Sequence, residues 1–418
     1  MTPSTSPEPV LAVDGTPLKT KLARALMVRR IRALGLTLPL LAFLFAAFII
    51  PVLLFLWQGV HDDTYARYML HSTPVLEAWD GVSEPTEAMY AALQKDLVQA
   101  RKDKTIGKVA TRVNRELPGG RSLFTSSARK AARLEAPYRE AMIDLKPAWG
   151  RLETWQALRV AAARYTPAYL ATSVDLKYRG DGSIRRQDEK RRIHLTLFWR
   201  TAEISALVTI FCLLLGYPVA YLLSNLPARR SNLLLILVLL PFWTSILVRT
   251  TAWVAILQGN GVLNDLFVAF GMVNEDGRFS MIYNRTGTLV AMTHILLPFM
   301  ILPLYAVMRT IPKAYVQAAH SLGANGWVAF WRVYFPQTLA GVGAGVVLVF
   351  ILATGYYITP ALVGGQDGQM ISNLIDFHMR RSLNWPLAAA MGFVLLVLVM
   401  FLYWLYDRVS GIDRMRLG

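Results

Sequence analysis

Apolar residues in this chain are gathered into long blocks that alternate with polar stretches. A helix that crosses a bilayer needs about 20 predominantly apolar residues, and six blocks reach that length. They cover Ala33–Trp57, Phe198–Leu223, Leu233–Ile256, Thr286–Met308, Leu339–Val363 and Pro386–Tyr406. The pattern predicts an all-α membrane protein with about six transmembrane helices.

The longest polar stretch lies between the first two blocks and shows helical periodicity. Helices are predicted over Thr86–Arg101, over Ser127–Leu145 with a bend at Pro137, and over Arg151–Arg164, with turns at 118–120 and 179–182. We expect five regions along the chain. They are a cytoplasmic tail (1–32), a first transmembrane helix (33–57), a periplasmic helical insert (58–194), a core of five transmembrane helices with a cytoplasmic loop at 309–337 (195–406), and a cytoplasmic tail (407–418).

Charge and composition change the interpretation of the polar flanks. The 418 residues are 54% hydrophobic and carry a formal net charge of +17. In a soluble chain that charge would suggest nucleic acid, but in a membrane protein lysine and arginine collect on cytoplasmic flanks. Basic flanks precede the first block and recur at 229–230, 309–332 and 408–416. They predict cytoplasmic termini, an external insert and no nucleic-acid partner.

Two further features concern the N-terminal region and the single cysteine. Residues 1–17 are rich in proline, serine and threonine, which is typical of a disordered tail, and the first block is expected to be an uncleaved anchor. The single cysteine, Cys212, lies inside a predicted span and cannot form an intrachain disulfide.

No residue pattern in the chain indicates catalysis or a nucleotide site. The phosphate-binding loop G-x-x-x-x-G-K-[ST] is absent. The insert lacks a catalytic triad context and clustered metal ligands, so a structural helical domain is favoured over an enzyme. Transporters that couple to ions use carboxylates within the membrane, and only Glu203 lies within a predicted span. Energy for active transport would therefore come from another subunit.

The segment QAAHSLGANGWVAFWRVYFP, residues 317–336, separates two apolar blocks. Val316–Leu322 is expected to be helical, with Ala318 and Ala319 allowing close approach to another surface. Gly323 permits a backbone turn that a Cβ would hinder. Trp327–Tyr334 is expected to form a second helix, and Pro336 fits the first turn of the following span. The order helix, turn, helix, proline predicts a docking element.

This segment resembles the loop of permease subunits in bacterial ATP-binding cassette (ABC) importers. The family pattern is E-A-A, three residues, G, nine residues, I-x-L-P. The matching positions here are Gln317, Ala318, Ala319, Gly323 and Pro336, with the spacing intact. Gln317, Val333 and Phe335 replace Glu, Ile and Leu, and the first replacement removes a charge.

The resemblance extends to the spermidine/putrescine type of permease, on residues 216–221, 240–250, 297–305 and 358–365. It implies a type I importer permease of the bacterial inner membrane, forming half of a pore with a second permease. A separate ATPase dimer would bind ATP and Mg and receive the coupling segment in a cleft. A periplasmic binding protein would deliver the small-molecule substrate. The chain itself would be no enzyme and would hold no cofactor or metal.

Five residues are candidates for the translocation path. Trp243, Tyr356 and Tyr357 offer aromatic faces that attract cations, and their alternative role is packing or an interface belt. Glu203 and Arg249 are expected at similar depth, as substrate contacts or, more simply, as an ion pair joining two helices. Tyr356 stands where polyamine permeases often carry an acid.

The expected cargo is a small, polyamine-like cation. An anionic or zwitterionic solute, carried by the same class of importer, remains the first alternative. A secondary transporter or channel acting alone would leave the coupling segment unexplained. A membrane-anchored sensor would need a cytoplasmic output domain beyond the short stretch after Asp407.

Overall fold

The computed structural model describes residues 18–410, and the chain divides into two units at the Trp57–Gln58 bond. The predicted disordered tail at 1–17 and the basic residues Arg414 and Arg416 lie outside the described residues. Each unit is considered by itself below.

The first unit contains the first predicted span. Its helices are α1 (Leu18–Leu44) and α2 (Ile50–Trp57), joined by a π-helical turn at Phe45–Ile49. The stretch Leu22–Trp57 is long and apolar enough to cross a membrane, which confirms the span predicted at 33–57. The helix begins before the apolar block because the basic flank is also rich in good helix formers.

The second unit begins with the insert, residues 58–193. Its elements are α3 (Thr64–Tyr68), α4 (Ser72–Ala78), α5 (Glu87–Lys102), α6 (Ile106–Glu116), α7 (Gly120–Lys130), α8 (Tyr138–Leu145), α9 (Leu152–Ala162), α10 (Ala168–Ser173), β1 (Leu176–Tyr178) and β2 (Ile184–Arg186). The two strands pair antiparallel, Lys177 facing Arg185. Their connection is the predicted turn at 179–182, which therefore joins strands rather than helices.

The insert has its own aromatic core. Trp149 and Trp155 are fully buried, and Trp149 Nε1 donates to Ser127 Oγ at 2.9 Å. The Trp149 carbonyl accepts from Trp155 Nε1 at 2.8 Å and from Tyr90 Oη at 2.9 Å. Each polar atom of these large side chains thus has a partner, as burial of indole and phenol groups requires.

Two of the three helices predicted in the insert are confirmed. The first is α5 and the third is α9, each shifted by one or two residues. The continuous helix predicted over Ser127–Leu145 is wrong. The chain ends α7 at Lys130, passes through a 3₁₀ turn, and starts α8 at Tyr138 after Pro137 in extended backbone. A residue before proline disfavours the helical region, so the proline separates two helices instead of bending one.

The core, residues 194–410, holds the remaining candidate spans. Its helices are α11 (His194–Asn225), α12 (Ala228–Leu239), α13 (Ile246–Leu257), α14 (Val262–Ala269), α15 (Arg285–Met308), α16 (Lys313–Ser321), α17 (Gly326–Ala329), α18 (Phe335–Gly355), α19 (Ile358–Val363), α20 (Ile371–Arg380) and α21 (Trp385–Ser410). Within residues 18–410, six helical stretches are long and apolar enough to span a membrane. The predicted all-α membrane fold is confirmed.

Helices α11, α15 and α18 pack on one another and form the centre of the core. Buried methionines and leucines fill the space, and small residues let the backbones approach. A Cβ added at Gly345 on α18 would lie 2.6 Å from the sulfur of Met300 on α15. Close helix contact through small residues is the main packing device inside membranes.

Two predicted spans are interrupted in the structure. The span Leu233–Ile256 is not one helix, because α12 ends at Leu239 and Pro241 lies in a 3₁₀ turn before α13 begins. The span Leu339–Val363 is also wrong at its end, since α18 stops at Gly355 and α19 starts afresh. Broken helices inside membrane proteins are tolerated where neighbouring groups satisfy the freed backbone.

A buried ionic network around Asp62 joins elements of the insert and reaches the core through Arg115. This carboxylate lies 3.0 Å from Arg112 Nε and 3.1 Å from Arg115 Nη1, and it accepts from Tyr169 Oη at 2.6 Å. Arg115 also donates to the Leu383 carbonyl, between α20 and α21, at 3.2 Å. Burial alone would raise the pKa of Asp62, but Arg112, the hydrogen bonds and Arg115 outweigh it and lower the pKa.

A second carboxylate of the insert caps the first helix of the core. Asp175, at φ +58°, accepts from the backbone N–H groups of His194 and Leu195 at 3.1 and 2.9 Å. Its Oδ1 also lies 2.7 Å from His194 Nδ1. Burial would raise the pKa of Asp175, but these hydrogen bonds lower it. A charged acceptor at a helix N-terminus stabilises unpaired N–H groups, so α11 begins at a defined residue.

Candidate coupling segment and translocation site

The coupling segment, residues 309–337, has the predicted order of elements. Helix α16 is followed by a turn in which Gly323 has φ +86°, the left-handed region that favours glycine. The side chain of Asn325 then caps α17 by accepting from Val328 N–H at 2.9 Å. The predicted helix–turn–helix arrangement is confirmed, and Asn325 supplies a start signal that the sequence analysis missed.

The surface of this segment is partly apolar and open. Leu322 is 89% exposed and Trp327 is 72% exposed, and Gln317 and Ala318 are also exposed. The expectation that both alanines face another surface is wrong for Ala319, which is buried within the chain. Residues i and i+1 point in directions about 100° apart on a helix, which lets one alanine be covered while its neighbour is exposed.

Aromatic rings connect the coupling segment to α11. Phe330 and Tyr334 lie in a π-helical turn, in which Phe335 N–H bonds to the Phe330 carbonyl. The ring centroid of Tyr221 lies 6.1 Å from that of Phe330 and 5.3 Å from that of Tyr334. Pro336 is the second residue of α18, as predicted, and the π turn leads into α18 without a break. Helix α17 is therefore continuous, through the π turn, with a long helix of the core.

Glu203 does not pair with Arg249, so the predicted ion pair is wrong. The carboxylate lies 2.5 Å from Arg285 Nη2, and the exposed fractions of the Glu203 and Arg285 side chains are 40% and 36%. Arg285 is the first residue of α15, so the contact ties the beginning of α15 to α11. The prediction rested on the similar depth of Glu203 and Arg249 in their predicted spans. The rotation of the packed helices instead places Arg285 beside Glu203.

Arg249 instead folds back along its own chain. Its Nη2 and Nε donate to the carbonyl and hydroxyl oxygens of Thr244 at 3.0 and 3.3 Å. Among residues 18–410, no carboxylate lies within 4.0 Å of this guanidinium. The positive charge of Arg249 is thus offset by backbone and hydroxyl oxygens only.

Three polar or aromatic side chains complete what we call the Arg249 cluster. His294 on α15 accepts at Nδ1 from Trp253 Nε1 at 3.1 Å. The positive charge of Arg249 acts through space on His294 and on Tyr356. His294 and Trp253 were missed as candidates. An ionisable residue inside the apolar block at 286–308 is a functional signal in membrane proteins and could have identified His294.

Tyr356 and Tyr357 occupy the break between α18 and α19, and their side chains have different surroundings. Their carbonyl oxygens accept from Ser372 Oγ at 2.6 Å and from Asn373 Nδ2 at 2.7 Å, respectively, which satisfies the freed backbone. Tyr357 Oη accepts from Arg380 Nη2 at 3.0 Å, and Arg380 also lies over its ring. The structure therefore pairs Tyr357 with Arg380, whereas Tyr356 lies within the electrostatic reach of Arg249.

Trp243 ends the 3₁₀ turn before α13 and is 72% exposed. The adjacent Phe242 packs on Phe299 of α15 with ring centroids 5.0 Å apart. Phe242 therefore anchors the break, while Trp243 presents its indole outward. In the part of the chain that the structure describes, no group of three His, Cys, Asp or Glu side chains could hold a metal ion.

Comparison with known proteins identifies the family of the chain. Residues 213–411 match the family described as "Binding-protein-dependent transport system inner membrane component". The spermidine/putrescine transport system permease protein PotB of Haemophilus influenzae is 34% identical over 218 residues, which cover 52% of this chain and 76% of that protein. PotB of Escherichia coli K12 is 31% identical over 220 residues, covering 52% and 79%.

A crystal structure of a bacterial ABC transporter that imports the acidic polysaccharide alginate is also similar. Its matched chain is 17% identical, with a TM-score of 0.46, over 55% of this chain and 81% of that one. The assignment itself is carried by the relatives at 31–34% identity and by the family match. The chain belongs to the family of inner-membrane permeases of binding-protein-dependent ABC importers.

Proposed function

We propose that this permease forms half of the pore of an ATP-driven polyamine importer, together with a second permease. An ATPase dimer, which binds ATP and Mg, would receive the coupling segment, and a periplasmic binding protein would deliver the solute. The observation that carries the substrate class is the 34% identity to a spermidine/putrescine permease over 76% of its length. As a permease, the chain is a channel subunit and not an enzyme.

The proposed orientation follows from the basic flanks. With both termini in the cytoplasm, the coupling segment at 309–337 faces the ATPase and the insert faces the periplasm. The insert is rigidly joined to α11 and to the α20–α21 connection through Asp175, Arg115 and Leu383. It would therefore contact the binding protein or cover the pore entrance as a fixed platform.

Coupling would proceed through the exposed apolar surface of the segment. Leu322 and Trp327 would enter a cleft of the ATPase, where burial of two large apolar side chains contributes about 3–6 kcal/mol before the entropy cost of docking. When the ATPase subunits close, the displacement would pass through Phe330 and Tyr334 to α11 and α18. These helices form the centre of the core, so their movement opens or closes the path.

The local electrostatics of the Arg249 cluster limit how a cation is recognised. An unpaired arginine about 4 Å from a passing amine repels it by roughly 4 kcal/mol at an effective dielectric constant near 20. Tyr356 and Trp253 offer aromatic faces worth about 0.5–2 kcal/mol each, which only partly offsets that repulsion. Selection of a polyamine would therefore reside mainly in the binding protein and in acids of the second permease.

An anionic or zwitterionic solute is the second candidate, and the same cluster favours it. Arg249 lacks a carboxylate partner within residues 18–410, and its charge reaches His294. A guanidinium and an imidazole are suited to a carboxylate or phosphate oxygen. For such a cargo, Arg249 would be a direct contact.

Uptake by cells separates the two candidates. A strain lacking polyamine uptake would express this chain with its partner subunits and be given labelled putrescine, spermidine and a panel of anionic solutes. We expect ATP-dependent polyamine uptake that Ala318→Arg abolishes, because Ala318 is exposed on the coupling helix. Ala228→Arg places the same group on an exposed alanine of α12 and should leave uptake unchanged. Uptake of an anion without any polyamine would replace the first candidate by the second.

A further inference from the structure

A cavity of about 510 Å³ lies beneath the coupling helix. Its walls come from α16, from the ends of α11 and α15, and from the segment leading into α18; the residues used below are Tyr221, Arg309, Lys313, Gln317, His320 and Tyr334. Small-molecule sites in proteins typically enclose about 300–1,000 Å³. The cavity is thus large enough for a ligand of nucleotide size.

The charge of this cavity is entirely of one sign. Arg309, Lys313 and His320 line it, and no aspartate or glutamate of the described chain does. Arg309 also donates to Tyr305 Oη at 2.9 Å, and His320 Nδ1 donates to the Ala324 carbonyl at 2.9 Å, which fixes both side chains. Positive charges gathered around one space raise the local concentration of anions there.

A buried donor in the wall has no partner of its own. Tyr334 is buried, with only 8% of its surface exposed. Its hydroxyl makes no hydrogen bond to any described residue. The neighbouring Ser224 hydroxyl donates its proton to the Tyr221 carbonyl at 2.8 Å, so that proton is not available to the Tyr334 oxygen. Buried hydroxyl groups are almost always paired, so an unpaired one in a cavity wall points to a group that completes it.

Gln317 adds a difference from the family pattern. It lines the same cavity, at the position where the coupling pattern of ABC permeases has a glutamate. A glutamate there would neutralise one of the three bases and repel an anion. With glutamine the wall keeps hydrogen-bonding capacity without negative charge.

We propose that this cavity binds a phosphate-bearing anion of up to nucleotide size. Lysine, arginine and imidazole groups together suit an oxyanion with several charged oxygens, and the Tyr334 hydroxyl would donate to one of them. The bound anion bridges α16 to α11, α15 and α18 and so stiffens the contact through which the coupling segment moves the core. The site is independent of the translocated solute, so its test does not depend on whether the chain transports polyamines.

Two sources supply this chemistry, a soluble phosphate compound or the headgroup of an anionic lipid. The full-length chain, with the subunits that purify with it, would be placed in nanodiscs of phosphatidylcholine alone or of phosphatidylcholine with phosphatidylglycerol. Inorganic pyrophosphate is the soluble probe, titrated by calorimetry, and native mass spectrometry counts retained phosphatidylglycerol.

We expect saturable binding that Lys313→Gln and Gln317→Glu each weaken by about tenfold, the loss typical of one charge-assisted contact. Arg229→Gln removes an exposed base on α12, outside the cavity, and should change nothing. Tyr334→Phe should weaken binding while leaving the melting temperature of the unliganded protein unchanged or higher, because the hydroxyl is unpaired.

The outcome also identifies the source. Pyrophosphate binding in both nanodisc types indicates a soluble ligand. A lipid headgroup is indicated if pyrophosphate binds only in nanodiscs that lack phosphatidylglycerol, and if Lys313→Gln reduces the amount of phosphatidylglycerol retained. No saturable pyrophosphate binding together with no retained phosphatidylglycerol overturns the proposal, as does an equal loss in Arg229→Gln.

Discussion

The turn at Gly323 allows the coupling role to be tested with a matched pair of glycines. Gly323 has φ +86°, whereas Gly326 begins α17 outside that region. A Cβ added at either position meets no atom within 4 Å. Valine at Gly323 is therefore opposed by backbone conformation alone, and valine at Gly326 is not.

The expected size of the effect follows from that geometry. A residue with a Cβ in the left-handed region costs about 1–2 kcal/mol, and a β-branched residue lies at the upper end. Such a cost shifts the equilibrium between this turn and other loop arrangements by roughly 5- to 30-fold. The exposed apolar surface of Leu322 and Trp327 would then be presented in the docking orientation for a smaller fraction of the time.

The assay compares transport with ATP hydrolysis in proteoliposomes that hold the assembled transporter. We expect Gly323→Val to lower the solute transported per ATP hydrolysed by about fivefold or more, while the complex still assembles. Gly326→Val should retain the wild-type ratio. A wild-type ratio in Gly323→Val, or an equal fall in both variants, would refute the reasoning that the left-handed turn orients the docking surface.

Three further predictions concern orientation and stability. Cysteine at the exposed Ser122 of the insert should be labelled by an impermeant reagent from outside only, and cysteine at Ser321 of α16 only after permeabilisation; the reverse pattern would invert the topology. Arg112→Met should lower the free energy of unfolding by about 3–5 kcal/mol, because it takes the cation from Glu116 and one of two cations from the buried Asp62. Arg67→Met, at an exposed pair, should cost under about 1 kcal/mol in the same denaturation experiment. Burial and the nearby charges of His194 and Arg115 lower the pKa of His378 to about 4, against about 6.5 in an unfolded chain. The unfolded state therefore binds this proton more tightly, so stability should fall as pH drops from about 6.5 to 4, and melting curves of His378→Gln should fall less.

Several features of this protein are determined by local sequence. The apolar blocks were sufficient to find the spans, because the length of a membrane crossing is set by the bilayer. The periodicity of α5 and the position of Gly323 were equally readable, since helical faces and left-handed turns depend on a few neighbouring residues. The spacing of the coupling pattern identified the family before any tertiary contact was considered.

Other features were decided only by tertiary structure. Glu203 lies against Arg285 rather than Arg249, Ala319 is buried while Ala318 is exposed, and His294 accepts a hydrogen bond from Trp253 across two helices. These contacts depend on how far each helix is rotated, tilted or broken when it packs against its neighbours. Rotation and tilt are set by packing between distant segments and not by the apolar length of any one of them. For that reason the sequence alone could locate the helices and the coupling turn, but not the partners of the charged residues within them.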